Sequence, residues 1–438
     1  MNARQRNTKL DSKTIAKALG RVLGEADLDR VARDTGLMKR KRKVTPLMLL
    51  VACLSTLGVA KVQWLADILR TFNRFTGQAL RYKPFHKQLA KPGFAEFLRI
   101  VVARALRELS IPVLRPLRAS KLSRFVDIII HDGSSFRLKD VLAKEWPGRF
   151  RKGSPAAIEI HTTMSTATDN VLRIAVVPDK EAERPFLPSG EDLEGRLLLA
   201  DRGYEARQVF QNIDDQAGFF IIRGNMGIRP TIRRAYAASG HRLRYLEGKV
   251  LSLAVLPREH VDLDIEWCNS RGRWDGRIIA LYTAKDRKPK GFLYLHTNLK
   301  RAEFRWHEIA ALYRLRWQIE LVFKEWKSHA NLHRFDTSKS QIAEGLVWAS
   351  LLVAILKRYL CHAAQQSSGT ELSTQRAASS ARHFLDDILS GLLTSSRALS
   401  RALERAMEFL EENARRAHPN RDRRTGRLAT GLRPIGVG

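Results

Sequence analysis

Cysteine is scarce: Cys53, Cys268 and Cys361 are the only three in 438 residues. They stand far apart, which leaves no disulfide framework and no thiolate zinc cluster. A reducing compartment inside the cell follows. The N-terminus is polar and basic and has no apolar signal core. The longest uncharged run near it, residues 44–60, is shorter than a bilayer span and contains Thr45, Pro46, Ser55, Thr56 and Gly58. A core helix is expected there, not a membrane crossing. Acidic residues are also short: 45 Asp plus Glu face 77 Lys plus Arg, a net charge of +32. That surplus calls for a polyanionic partner, DNA or RNA first, and an anionic membrane surface also fits on charge alone. The basic residues are spread over the whole chain, which suits a protein that wraps its ligand. Length suggests two to four domains at about 150 residues each.

Residues 1–115 read as helical. Ser12 can cap a helix over 14–23, and Thr45 followed by Pro46 makes an N-cap and first-turn pair for an apolar helix to Leu57. Further helices are predicted over 62–72 and 94–109. The basic run at 39–43 fits a solvated face, or a place to hold phosphates. From about residue 124 the character changes. Segment 125–131 is a β-branched run typical of a buried strand, and 157–164, 171–177, 196–200 and 219–222 look like its neighbours. With a helix over 206–213 they make a mixed sheet in an α/β layer. Residues 178–195 hold Pro178, Pro185 and Pro188 and leave room for only a short helix. Strands are predicted at 250–256, 261–267, 277–283 and 292–297. Helices follow at 345–359, 377–393 and 396–414. The Gly-, Pro- and Arg-rich tail after His418 is expected to be loose. There is no internal repeat.

Residues 313–327, YRLRWQIELVFKEWK, form the most informative segment. On one helix at 100° per residue, Tyr313, Arg316, Glu320 and Lys327 share an arc about 60° wide. An apolar stripe of Leu312, Leu315, Ile319, Val322, Phe323 and Trp326 runs beside it. Such a helix seats on a core and shows one acid between cations and a phenol. An amphipathic helix with ordinary ion pairs explains that segment equally well. Two further acids change the balance. Asp132 closes one apolar strand and enters a Gly133-Ser134-Ser135 turn, and Asp201 closes another and enters an Arg202-Gly203 turn. Acids just past strand ends of an α/β sheet project into the ligand crevice. Asp127 is a rival on the first strand, but on the opposite face. Three converging carboxylates suit two hard divalent ions, Mg²⁺ with Mn²⁺ as a substitute. His131 and His161 are expected to be structural, with His161 able to orient a carboxylate.

The pattern Tyr313-x2-Arg316-x3-Glu320-x6-Lys327 resembles the Tyr-Arg-Glu-Lys signature of bacterial DDE transposases of the insertion-sequence-four family. Asp201-Arg202-Gly203-Tyr204 is similar to the family's second-acid motif, and Asp132-Gly133-Ser134 to its first. The resemblance implies a ribonuclease-H-like α/β core at 116–224 and 301–345, interrupted by a β-rich insertion at 225–300. A helical DNA-end-binding region (1–115), a helical C-terminal region (346–417) and a basic flexible tail (418–438) would flank it. It implies Mg²⁺-dependent cleavage at insertion-sequence ends and strand transfer into target DNA. Asp132, Asp201 and Glu320 would hold metal, and Tyr313, Arg316 and Lys327 would contact phosphates, with Lys324 able to assist. Partners would be double-stranded terminal repeats and target DNA, bound by a synaptic homodimer in the bacterial cytoplasm, at the nucleoid. Some relatives stack a flipped base on an aromatic of the insertion, where Phe292 and Tyr294 lie. A related nuclease that cuts without joining, or a domesticated DNA-binding copy, would show the same acids.

Overall fold

A computed structural model describes residues 10–435, except 41–42, 60–63, 225–228, 270–271, 286–287, 333–334, 419, 421–422 and 425–426. Part of the basic run at 39–43 and the predicted start of the helix at 62 lie outside the described residues. Six helices open the chain: α1 (Ser12–Leu23), α2 (Glu25–Asp34), α3 (Pro46–Val59), α4 (Leu65–Thr76), α5 (Tyr82–Leu89) and α6 (Gly93–Glu108). The cap of α1 is Asp11, which accepts from Thr14 N, and not Ser12. Thr45 caps α3 as its side chain predicts, with Met48 N donating to Oγ1 at 3.2 Å.

After the short β1 (Leu114–Pro116) come β2 (Ile128–Arg137), β3 (Pro147–Phe150), β4 (Ser154–Ser165), β5 (Val171–Pro178) and β6 (Leu197–Ala200). Helix α7 (Arg207–Asp215) leads to β7 (Phe219–Gly224), and then to β8 (Thr231–Ala237), β9 (Val261–Asn269), β10 (Gly272–Lys285) and β11 (Lys288–Thr297). All but β1 join one ten-stranded mixed sheet in the order β3-β4-β2-β6-β7-β11-β10-β9-β8, with β5 beside β3 on β4. Strands β2, β6 and β7 are parallel, and the other pairs are antiparallel. The β-rich segment therefore extends the central sheet through β7 and β11.

The chain ends with α8 (Trp306–Tyr313), α9 (Trp317–His329), α10 (Ser340–Ser368), α11 (Thr374–Ser379), α12 (Leu385–Thr394), α13 (Ser396–Asn413) and β12 (Leu432–Pro434). The α10 helix is long and apolar enough to cross a bilayer, but its apolar window is wholly buried. It packs on α3 and α6 from one end of the chain and α13 from the other. Apolar burial stabilises by about 25 cal/mol per Å², and α10 acts as the hub of a single helical core. That core also covers Ile128, Ile130, Leu197, Leu199 and Ile221 on one face of the sheet. The other face carries Ile129, Leu198, Ala200, Phe220 and Ile222, which pack with α7 and the later strands.

Several expectations need correction. The predicted strand at 250–256 is a single 3-10 turn, Leu251–Leu253, with Leu253 and Val255 in solvent. The strand of that region is β8, whose alternation is hidden by a bulge between Ile232 and Arg234. The predicted helix at 377–393 breaks at residues 380–384. There Ser379 and Ser380 hydroxyls donate to Arg376 O and compete with the helical bonds. The tail is not loose where it is described. Strand β12 pairs with β1, and Arg427 is buried. The segment 178–195 carries two 3-10 turns, Arg184–Phe186 and Gly190–Asp192.

Candidate active site

Strand pairing sets the first row of the site. His131 pairs with Ala200 across β2 and β6, and Ala200 pairs with Ile222 across β6 and β7. The next residue of each strand is charged: Asp132, Asp201 and Arg223. Side chains alternate along a strand, so all three fall on the face of Ile130, Leu199 and Ile221, under the helices. Asp132 does not enter a turn, because β2 runs on to Arg137. Its neighbours pair with β4, Gly133 with His161 and Ser135 with Glu159. Asp127 lies just before β2, whereas Asp132 is inside the strand, and Asp127 accepts from Ile128 N.

The second side is α9. Residues 313–327 are not one helix: α8 ends at Tyr313, Arg314–Arg316 form a 3-10 turn, and α9 begins at Trp317. Trp317, outside the apolar stripe, is exposed, while Ile319, Val322, Phe323 and Trp326 bury as the stripe predicts. The four signature side chains still face the strand ends. Tyr313 Oη reaches Asp201 Oδ1 at 3.5 Å. Arg316 Nη1 donates to Asp132 Oδ2 at 2.8 Å, and Nη2 donates to Glu320 Oε1. Lys327 Nζ donates to Ser135 O at 3.2 Å. Lys324 is exposed on the same helix. Sequence reasoning missed Arg223, whose Nη1 lies 3.7 Å from Asp201 Oδ1. Its signal was available: it follows an apolar strand as Asp132 and Asp201 do.

Electrostatics mark Asp132 as the strained member. Burial pushes its carboxyl up to about 6, and Asp201 and Glu320 add to that, against Arg316 and the Gly133 amide. Burial also pushes the Tyr313 phenol upward, so it stays a donor. His131 and His161 are buried, and desolvation lowers them to about 3 and about 4. Neither is charged near neutral pH, which agrees with a structural role. Tyr294 is core, and Phe292 is partly buried beside Tyr282.

The donor set suits a hard divalent cation: carboxylate oxygens, one of them destabilised by burial and, to a smaller degree, by two like charges that a cation would relieve. Among the described residues no three acids, histidines or cysteines are gathered closely enough to cage an ion. The Arg316 guanidinium stands between Asp132 and Glu320 as the cation they share. Arg316→Lys keeps the charge but cannot fork to both acids. It is expected to slow the reaction at this site about 10- to 100-fold without lowering the melting temperature. Single-turnover kinetics beside a thermal melt check it.

The family model described as "Transposase DDE domain" matches residues 124–356, more than half of the chain. The chain belongs to that family. It is a DDE transposase of insertion-sequence type, a phosphoryl-transfer enzyme. Among its relatives, the transposase for insertion sequence element IS231C of Bacillus thuringiensis subsp. berliner is 21% identical over 445 residues, covering 92% of either chain. The InsL protein of insertion sequence element IS186A in Escherichia coli K12 is 36% identical over 252 residues, 51% of this chain and 65% of its own. A solved piggyBac transposase synaptic complex with hairpin DNA aligns over 97% of this transposase and 91% of that chain, at 11% identity and a TM-score of 0.48. The family implies a divalent metal.

Proposed function

We propose that this transposase cuts DNA at the ends of its insertion sequence and joins those ends to target DNA, using Asp132, Asp201 and Glu320 to hold Mg²⁺, two ions at a time, or Mn²⁺ in its place. The observation that carries this is the in-register row of Asp132, Asp201 and Arg223, met by Glu320 through Arg316. When bound, the metal ions would activate the attacking water or 3′-hydroxyl and stabilise the leaving oxygen. The protein's own groups do the rest. Arg316 is planar and forked, so it can exchange carboxylates for two phosphate oxygens. Tyr313 supplies one hydrogen bond and Lys327 a point charge beside the same strand. Arg223 offsets the charge of Asp201.

The order β5-β4-β2-β6-β7, with three parallel strands, supports a ribonuclease-H-like core at 116–224 and 301–345, with 225–300 as its insertion. The helices of 1–115 would bind the element's terminal repeats, and those of 346–417 would support a synaptic homodimer, in the cytoplasm at the nucleoid. Net charge of +32 favours contact with double-stranded DNA. Affinity should then fall steeply with salt, each phosphate contact adding about −0.9 to the log–log slope. The deciding experiment incubates the protein with Mg²⁺, a donor plasmid carrying the element's ends and a target plasmid. Released ends and joined products are expected. Cut ends without joined products would mark a nuclease, and intact plasmid with retained DNA binding would mark a DNA-binding protein only.

A further inference from the structure

Beneath the sheet, on the face away from α9, one guanidinium gathers two carboxylates. Arg149 Nη2 donates to Glu159 Oε2 at 2.9 Å, and Nη1 lies 3.1 Å from Glu183 Oε1. Asp179 anchors the arginine itself. Its Oδ2 accepts from Arg149 N at 2.8 Å, and its carbonyl accepts from Arg149 Nε at 3.3 Å. Asp179 also accepts from Ser135 Oγ, on the strand of Asp132. Glu159 is buried on β4, and Glu183 sits in the proline-rich segment after β5.

Each carboxylate presses on a glycine. A Cβ on Gly133 would lie 2.6 Å from Glu159 Oε1, and a Cβ on Gly203 would lie 2.5 Å from Glu183 Oε2. Gly133 follows Asp132 directly, and Gly203 is two residues after Asp201. Both motif glycines are therefore places where a carboxylate meets bare backbone. Next to Glu183, Arg184 holds the second loop from the same side, with Nη2 donating to Glu205 O at 3.0 Å. His161 lies buried between these groups, its Nε2 3.8 Å from Glu159 Oε2.

We propose that Arg149, Glu159 and Glu183 form a clasp that sets the spacing of Asp132 and Asp201, and so act as positioning residues for metal binding by this transposase. The chain of contact is short. Arg149 fixes two carboxylates, each carboxylate fixes a glycine, and each glycine fixes the acid one or two residues before it. Strand pairing alone aligns Asp132 with the end of β6, but Asp201 lies beyond the last paired residue of β6. Its loop needs a hold from below. The signature helix supplies none on that face, because α9 lies on the other side of the sheet.

The inference rests on the assignment of Asp132 and Asp201 as metal-holding acids, and the test separates the two. Mn²⁺ binding to the full-length protein is followed by the loss of the free-ion signal in electron paramagnetic resonance, with a thermal melt on every variant. Arg149→Ala is expected to weaken Mn²⁺ binding about 10- to 100-fold, as loss of an outer partner of metal ligands does. Arg149→Lys, which cannot fork to both carboxylates, is expected between wild type and Arg149→Ala and covers the case in which the alanine variant fails to fold. Gly203→Ala is expected to weaken binding, and adding Glu183→Ala to it should cost nothing beyond Glu183→Ala alone, since the two contacts are one. If the arginine variants bind Mn²⁺ as wild type does while Asp201→Asn has lost it, the clasp is refuted and the acids stand. If Asp201→Asn also binds as wild type, both assignments fall.

Discussion

Glu320→Gln is expected to remove DNA cleavage almost completely, by at least about 10³-fold, because a missing member of a catalytic group cannot be replaced by the others. Glutamine keeps the volume of Glu320, and its amide oxygen can still accept from Arg316, so the turn into α9 is retained. What is lost is the charge. Asp132 and Asp201 would then face Arg316 and Arg223 with no third anion on the helix side. A cation would meet two acids against two guanidiniums, which is no net attraction. DNA binding should stay near the wild-type value, since no phosphate contact is assigned to Glu320. Gel-shift titration in EDTA and single-turnover cleavage in Mg²⁺ measure the two effects apart. Cleavage within tenfold of wild type would remove Glu320 from the chemistry.

The site was legible in sequence where a local rule and a tertiary position coincide. Asp132 and Asp201 each follow a β-branched or leucine-rich run, and parallel strands bring such ends together. The same rule applied to 219–222 would have found Arg223. The turn expected at Gly133-Ser134-Ser135 did not form. Glycine and serine favour turns in isolation, but here Gly133 admits the Glu159 carboxylate, and β4 extends the ladder past it. Helical periodicity placed Tyr313 and Arg316 on the face of Glu320, although a 3-10 turn intervenes, because one tight turn shifts the phase by only a fraction of a turn. The Arg149 clasp was invisible. Its members come from three segments with no shared period, and an Arg or Glu on a strand reads as a solvated position until the other side is known. The tail failed for the same reason. Its arginines look like a loose basic arm, and the partner of buried Arg427 is Asp169, more than 250 residues earlier.

That ion pair leads to the largest expected loss of stability. Asp169 sits in the turn between β4 and β5, at φ 53°, a left-handed conformation that aspartate tolerates. Its Oδ1 lies 3.1 Å from Arg358 Nη2 and 2.7 Å from Arg427 Nη1, and its Oδ2 lies 3.5 Å from His362 Nε2. Arg358 also reaches Glu325 Oε2 at 3.3 Å, on the helix that carries Glu320. One buried acid thus joins the sheet, α10, the C-terminal tail and, through Arg358, α9. Burial alone would raise its carboxyl, but Arg358 and Arg427 outweigh that and hold it well below the usual carboxylate range. A depressed carboxylate contributes stability above its unfolded value of about 3.9 and loses it only as pH falls through the folded value. The contribution is therefore whole at neutral pH. Asp169→Ala leaves the Arg427 guanidinium buried without this anion and Arg358 with Glu325 alone, and breaking such a buried pair costs about 3–5 kcal/mol. Arg74→Ala breaks the exposed pair with Asp386 and should cost at most about 1 kcal/mol. Urea denaturation of both variants at pH 7 gives the comparison. Equal losses for the two would mean that the buried cluster holds nothing together. If Asp169→Ala instead separates β12 from β1, limited tryptic proteolysis will cut at Arg427 before the rest of the chain unfolds.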